Sequence, residues 1–190
     1  MLQVYTGDGK GKTTAAVGLA MRSLGAGHKV YFAQFMKGLA YSEQDILEKF
    51  APQLILQTTG KPYFIAKEGM LTDEQIRAWG DMLRVYPPGH PPADYVELAA
   101  QLLNDVKRQL DAEKFDLVIL DEVNMALFYE LLTREQLEAF LDAVSSDTEV
   151  VCTGRRAPDW LCQRADLITE MKEIKHYFKQ GVQARKGIEN

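Results

Sequence analysis

An α/β fold is predicted for this chain of 190 residues: one domain, with a mostly parallel sheet and helices on both faces. Three observations predict it. Short apolar runs alternate with helix-period segments along the whole length, as in a series of parallel crossovers. The run Phe115-Asp116-Leu117-Val118-Ile119-Leu120 is apolar at 115 and at 117 to 120, and so reads as a strand buried on both faces. A glycine-rich turn, Thr6-Gly7-Asp8-Gly9-Lys10-Gly11-Lys12-Thr13-Thr14, joins the first apolar run to the first helical one.

Taken in order, Leu2-Gln3-Val4-Tyr5 is the first strand, and the first helix begins near Lys12 and runs through Ala15 to Leu24. Gly25-Ala26-Gly27 ends it, and Lys29 to Phe35 forms the second strand. Met36-Lys37-Gly38 leaves that strand at its carboxyl end, where open α/β sheets bind ligands. Lys37 there either faces a phosphate or carboxylate, or is a solvated loop lysine. Ser42 N-caps a short helix, Glu43 to Phe50, stopped by Pro52. Gln53 to Thr59 is a third strand and runs into Gly60-Lys61-Pro62-Tyr63-Phe64, whose aromatics either line a flat apolar ligand or cover the core.

Thr72-Asp73-Glu74-Gln75 has the form of a capping box and starts a helix reaching about Tyr86. Pro87-Pro88-Gly89-His90-Pro91-Pro92 breaks it as a rigid loop. Ala93 to Glu113 is a long amphipathic helix with Val96, Leu98, Leu102, Leu103, Val106 and Leu110 on or near one stripe. After the buried strand ending in Asp121-Glu122, Thr133 starts a helix to about Val144. Thr148 to Thr153 is a further buried strand that ends in Gly154-Arg155-Arg156. Pro158 to Arg164 makes a helical turn, Asp166 to Met171 a last strand, and the tail from Lys172 to Lys186 carries a basic cluster. That cluster is either a solvated face or a screen for bound phosphate.

The glycine-rich turn has the context of a phosphate-binding loop: strand, turn, helix start. With three glycines in five residues, successive N–H groups are free to turn inward on a polyanion, and the helix N-terminus adds its unpaired N–H groups and dipole. Lys12 reaches the terminal phosphates and the Thr13 hydroxyl ligates Mg²⁺. The usual pattern, G-x-x-x-x-G-K-[ST], asks for glycine where this chain has Thr6. Asp121 suits the role of an acid holding Mg²⁺ directly or through water, and Glu122 that of a second metal ligand or a base. Arg155, leaving a strand's carboxyl end, is placed to contact phosphate or stabilise a departing oxyanion. The fold is thus a P-loop, RecA-like nucleotide-binding domain over residues 1–190, and its ligand a nucleoside triphosphate.

The formal net charge of −5 argues against a general nucleic-acid binder. No apolar run approaches the roughly 20 residues of a membrane span. The chain opens on a strand, leaving no room for a signal peptide, so a cytoplasmic enzyme is expected. Cys152 and Cys162 form neither a metal pattern nor a disulfide framework and read as reduced core thiols. His28, His90 and His176 lie apart and read as surface or locally bonded.

Several blocks carry a family resemblance. Val4 through Ala16, Ala33-Gln34-Phe35-Met36-Lys37-Gly38, Val118-Ile119-Leu120-Asp121-Glu122, Thr153-Gly154-Arg155, Arg164 through Met171, Ile174-Lys175-His176 and Gly181 through Glu189 follow one another as in the corrinoid adenosyltransferases of the cobalamin pathway. That family also has threonine at the place of Thr6. The resemblance implies transfer of the 5′-deoxyadenosyl group of ATP to the cobalt of a reduced corrinoid, with release of triphosphate. It implies that Gly7, Asp8, Gly9, Lys10, Gly11, Lys12, Thr13, Thr14, Lys37 and Arg155 bind the nucleotide, Lys12 and Arg155 acting on the leaving group. Thr13 and Glu122, with Asp121, would carry Mg²⁺. A homodimer and an electron donor such as a flavoprotein are implied as partners.

Two departures stand out. Where many members have G-F-T-W after the third strand, with aromatics against the corrin, this chain has Gly60-Lys61-Pro62-Tyr63-Phe64, which places Tyr63 and Phe64 in that role. The N-terminal extension that folds over the site in well-known members has no counterpart before Val4, so the Pro-rich loop or a partner subunit is expected to cover it. From the residues alone, a P-loop hydrolase with Glu122 polarising water, and a nucleotide-switched binding module, stay open beside the transferase.

Overall fold

The computed structural model describes residues 1–189. Its centre is a six-stranded sheet: β1 (Leu2–Thr6), β2 (Val30–Gln34), β3 (Leu54–Thr58), β6 (Leu117–Asp121), β7 (Glu149–Thr153) and β8 (Leu167–Glu170). The order across it is β3-β2-β6-β7-β1-β8, and every neighbouring pair is parallel. Parallel neighbours need crossovers, and helices provide them. These are α1 (Lys12–Gly25), α2 (Ser42–Leu47), α4 (Ala93–Ala112), α5 (Val123–Phe128), α6 (Arg134–Ala143) and α7 (Asp159–Arg164).

The strand period of two divides the core between the two faces of the sheet. Val30, Phe32, Leu117, Ile119 and Val151 pack with Ala16 and Ala20 of α1 and Leu47 of α2. Tyr31, Ala33, Val118, Leu120, Val150 and Cys152 pack on the other face with Leu102 and Val106 of α4, Leu137 and Phe140 of α6, and Leu161 of α7. Helices therefore cover both faces, as the sequence predicts. Every residue of β2 and β6 is buried, and each large apolar side chain there contributes about 1.5–3 kcal/mol by leaving water. Cys152 lies in this core, whereas Cys162 is only half-buried.

The main difference from expectation lies between residues 60 and 86. The capping box at Thr72 forms as predicted, with the Thr72 hydroxyl accepting from the Gln75 N–H at 3.3 Å. The helix it opens, α3 (Asp73–Trp79), is however only seven residues long. Gly80, at φ 51°, ends it, and a single 3₁₀ turn follows. Leu83–Tyr86 is then a strand, β5, pairing in parallel with β4 (Phe64–Lys67). Ile65 and Tyr86 bury this two-stranded unit against the core on the α4 face, and the Tyr86 hydroxyl donates to the Tyr129 carbonyl at 2.8 Å. The side-chain gain of two four-residue strands outweighs a helix continued through a glycine. The short helix at residue 42 begins one position earlier than expected, with Tyr41 in the N-cap position. No described helix is long and apolar enough to cross a membrane.

Candidate active site

The turn after β1 is shaped by close backbone packing. Gly11 takes φ 119° as the N-cap of α1, and no side chain caps that helix, so its first N–H groups are open to an anion. Gly7, at φ 94°, and Gly9 lie against the chain leaving β8. A Cβ on Gly7 would meet the Met171 oxygen at 2.4 Å, and one on Gly9 would meet it at 2.7 Å. The Gly9 N–H donates to that same oxygen at 2.7 Å, and the Met171 N–H donates to the Thr6 carbonyl at 2.8 Å. Thr6, the departure from the usual pattern, has a local use: its hydroxyl accepts the Ala157 N–H at 3.3 Å and ties the turn to the segment beyond β7.

Lys12 is buried within the turn, its ammonium donating to the carbonyls of Gly7 and Gly9 at 2.6 and 2.7 Å. Burial first, and then the positive charge of Arg155, hold its pKa below the usual lysine value. An anion beside it would be welcomed on both counts. The Thr13 hydroxyl reaches the Asp121 carboxylate, at 3.0 and 3.3 Å to its two oxygens.

Asp121 is completely buried, and the sheet order explains its partners. β6 lies between β2 and β7, so Gln34 stands in register with Asp121 on one side and Thr153 follows the paired Cys152 on the other. The Thr153 hydroxyl donates to one Asp121 oxygen at 2.6 Å, and the Gln34 amide to the other at 3.1 Å. Gln44 in turn donates to the Gln34 oxygen at 3.1 Å. Asp121 therefore acts on the site through Thr13 and does not line the cleft among the described residues. Neither Gln34 nor Thr153 stands out as a site residue in the sequence; only a parallel register brings them together.

Glu122 does line the cleft. Its backbone takes the left-handed φ of 62°, secured by a hydrogen bond of 3.0 Å from its N–H to the Thr153 hydroxyl oxygen. Burial, and then the neighbouring Asp121 charge, push its carboxyl pKa up, against the pull of Lys37, Lys12 and Arg155. Gly154, at φ 127°, allows the turn after β7 to come close: a Cβ there would lie 3.3 Å from a Glu122 oxygen and 3.0 Å from the Asn124 Cβ. Asn124, fully buried, donates to the Gly154 carbonyl at 2.9 Å. Of the two arginines that follow, Arg156 stacks over the Phe128 ring at 4.5 Å, while Arg155 faces the cleft.

These elements enclose one open cleft of about 750 Å³ at the carboxyl edge of the sheet. Gly9, Lys10, Gly11, Lys12, Thr13 and Thr14 line one end of it, with Glu122 and Arg155. Asp8 lies just outside, in a smaller neighbouring cavity that also contains Arg155. Lys37 enters from β2, its ammonium 3.8 Å from Glu43 and 3.9 Å from the centre of the Tyr41 ring. The loops that carry it are locked backbone to backbone, since a Cβ on Gly38 would overlap the Lys61 carbonyl at 2.2 Å.

The other end of the cleft is apolar and aromatic, with Met36, Phe64, Ile65, Tyr95, Met125 and Tyr129. The structure separates the two aromatics expected there. Phe64 is exposed in the cleft and packs edge-on against the exposed Trp79 at 5.0 Å. Tyr63 points elsewhere: its hydroxyl donates to Asp94 at 3.0 Å, and its ring lies between Tyr95 and the Arg84 guanidinium. Among the described residues the Pro-rich loop contributes nothing to the cleft wall. The C-terminal segment does, through His176, Gly187, Ile188 and Glu189. His176, read from sequence as surface or locally bonded, is thus both locally bonded and part of the cleft, whereas His28 and His90 bond locally, to Ser23 and to the Pro88 carbonyl.

Comparison with known proteins gives one consistent answer. A family model described as "ATP:corrinoid adenosyltransferase BtuR/CobO/CobP" matches residues 1–190. A corrinoid adenosyltransferase of Pseudomonas aeruginosa is 34% identical over 189 residues, covering 100% of this chain and 83% of the relative. One from a Sinorhizobium species is 32% identical, over 100% of this chain and 79% of the relative. The corrinoid adenosyltransferase CobA of Salmonella typhimurium is 30% identical, over 98% of this chain and 83% of its own. The chain belongs to the ATP:corrinoid adenosyltransferase family.

Proposed function

We propose that this member of the family is an enzyme that transfers the 5′-deoxyadenosyl group of ATP to the cobalt of a reduced corrinoid, in the making or salvage of adenosylated cobalamin. The observation that carries the reading is a single cleft with a phosphate-binding end and an aromatic end. A triphosphate chain suits the first and a flat macrocycle the second, so the ribose C5′ between them would meet the metal above the ring.

In this reaction Co(I) is the nucleophile and attacks C5′. The C5′–O bond breaks, and its electron pair leaves with triphosphate. No proton has to be removed, so the chain needs no general base. Its residues bind, orient and exclude water. The turn and the α1 N-terminus hold the phosphates, and Lys12 and Arg155 face the charge that gathers on the departing oxygen. Removing one such donor typically costs about 10²–10³ in rate.

The residues fit a divalent cation. A carboxyl held up by burial and by a neighbouring acid, as Glu122 is, gains from a cation beside it, and the Thr13 hydroxyl is a hard oxygen ligand. No group of three His, Cys, Asp or Glu ligands exists among the described residues, so phosphate oxygens and water would complete the shell, in the manner of Mg²⁺. Bound there, Mg²⁺ would neutralise charge on the leaving triphosphate. Asp121 would orient Thr13 from behind. Phe64, with Trp79 beside it, would lie against the corrin. We place the enzyme in the cytoplasm as a homodimer, supplied with electrons by an external donor such as a flavoprotein.

The test is anaerobic: the protein, Mg-ATP and chemically reduced cobalamin, followed by visible spectroscopy with analysis of the phosphate products. A light-sensitive alkylated corrinoid with one intact triphosphate per turnover supports the reading. Steady orthophosphate release without alkylation contradicts it and favours a hydrolase.

A further inference from the structure

The C-terminal segment leaves β8 pressed against the phosphate-binding turn and later returns to the same cleft. Met171 is hydrogen-bonded to both Gly9 and Thr6 at one end of it. At the other, Gly187, Ile188 and Glu189 line the cleft wall. The return is fastened by Glu189, whose carboxylate accepts from the Tyr177 hydroxyl and from the backbone N–H and guanidinium of Arg185. His176 sits within this loop, on the cleft wall with Lys12 and Arg155.

The bonding of the ring defines what it has to offer. Its Nδ1 accepts the Phe178 N–H at 3.1 Å. A neutral imidazole that accepts at Nδ1 carries its proton on Nε2. We propose that His176 is a nucleotide-binding residue, its Nε2–H donating to the phosphate chain of bound ATP and of the triphosphate product. The assignment rests on the adenosyltransferase reading only for the identity of the nucleotide. It makes the C-terminal segment the part of the chain that closes the phosphate end of the site.

Two substitutions separate this role from the local one. Asn at 176 keeps an acceptor for the Phe178 N–H but is too short to reach where Nε2 stands, whereas Gln places an amide N–H near the Nε2 position. Equilibrium binding of inorganic tripolyphosphate and of ATP, with magnesium and without corrinoid, is measured for the wild type, His176→Asn and His176→Gln. A hydrogen bond to a charged group is lost in His176→Asn, so its affinity for both ligands falls roughly tenfold, and His176→Gln stays within about twofold of wild type. An unchanged affinity in His176→Asn overturns the proposal. So does an equal loss in both variants, because the amide N–H that Gln places at the Nε2 position would then not restore binding. Binding is read without turnover, so a wild type that fails to alkylate corrinoid would sink the transferase reading and leave this comparison standing.

Discussion

The end of the cleft at the glycine-rich turn is made chiefly of backbone, whereas the aromatic end is made of side chains. At the first, Gly7 and Gly9 lie where any Cβ would collide with Met171, and Gly11 opens a helix with no side-chain cap. The charged groups are braced in turn: Lys12 by two carbonyls, and Asp121 by Thr153, Gln34 and Thr13. At the second, Phe64 and Trp79 stand exposed on a four-residue strand and a seven-residue helix, supported mainly by each other and by the packing of Ile65. A site for a small, highly charged group tolerates almost no change of shape. A site for a broad flat ring is an apolar surface, for which many side chains serve. The first end should accordingly fail sharply on substitution and the second by degrees.

The largest effect is expected at Lys12. Lys12→Ala removes the ammonium held between Gly7 and Gly9, and kcat/KM for ATP should fall by about 10²–10³ under saturating corrinoid. A loss under tenfold would mean that the backbone alone binds the phosphates. Next comes the brace behind Thr13 and Glu122. Thr153→Val leaves a buried Asp121 oxygen and the Glu122 N–H without their hydroxyl partner, and should lower unfolding stability by about 1–3 kcal/mol in urea titration. Its ATP affinity should fall in parallel, because Thr13 is oriented by the same carboxylate. An unaltered midpoint would show that the network contributes shape rather than stability.

The smallest effect concerns the fastening of the C-terminal segment. The Arg185 guanidinium, and then the Tyr177 hydroxyl, hold the Glu189 carboxyl down at about 2, against a usual 4.5. A depressed carboxyl stabilises the closed segment fully above its usual value, and the effect is lost as pH falls from there toward 2. Hydrogen exchange at the Arg185 N–H should therefore gain protection between pH 2 and 4.5 beyond the intrinsic pH trend, and Glu189→Gln should abolish that gain. The same pH step in the variant would place its origin elsewhere.

The two ends also differ in how far the sequence reveals them. The glycine spacing around Lys12 and the apolar run into Asp121-Glu122 are local signals, and the structure places both at one sheet edge. The aromatic end has no such signal. Its strands, Phe64–Lys67 and Leu83–Tyr86, are four residues each and far apart in the chain, and a true capping box at Thr72 invites a helix that Gly80 stops. Tyr63 and Phe64 are adjacent aromatics in the sequence, yet Tyr63, in the bend before β4, bonds to Asp94, and Phe64, the first residue of that strand, reaches the cleft. Gln34 and Thr153 join the site only because β6 lies between β2 and β7. His176 joins it from the loop after β8, whose course no periodicity announces.

If the proposed transfer is right, the two ends of the cleft bind different substrates. The most direct measurement is steady-state kinetics of Phe64→Ala with each substrate varied in turn while the other is saturating. The KM for the corrinoid should rise about tenfold, through the loss of one aromatic contact face, with the KM for ATP within about twofold of wild type. A rise in both constants together, or in that for ATP alone, would contradict it.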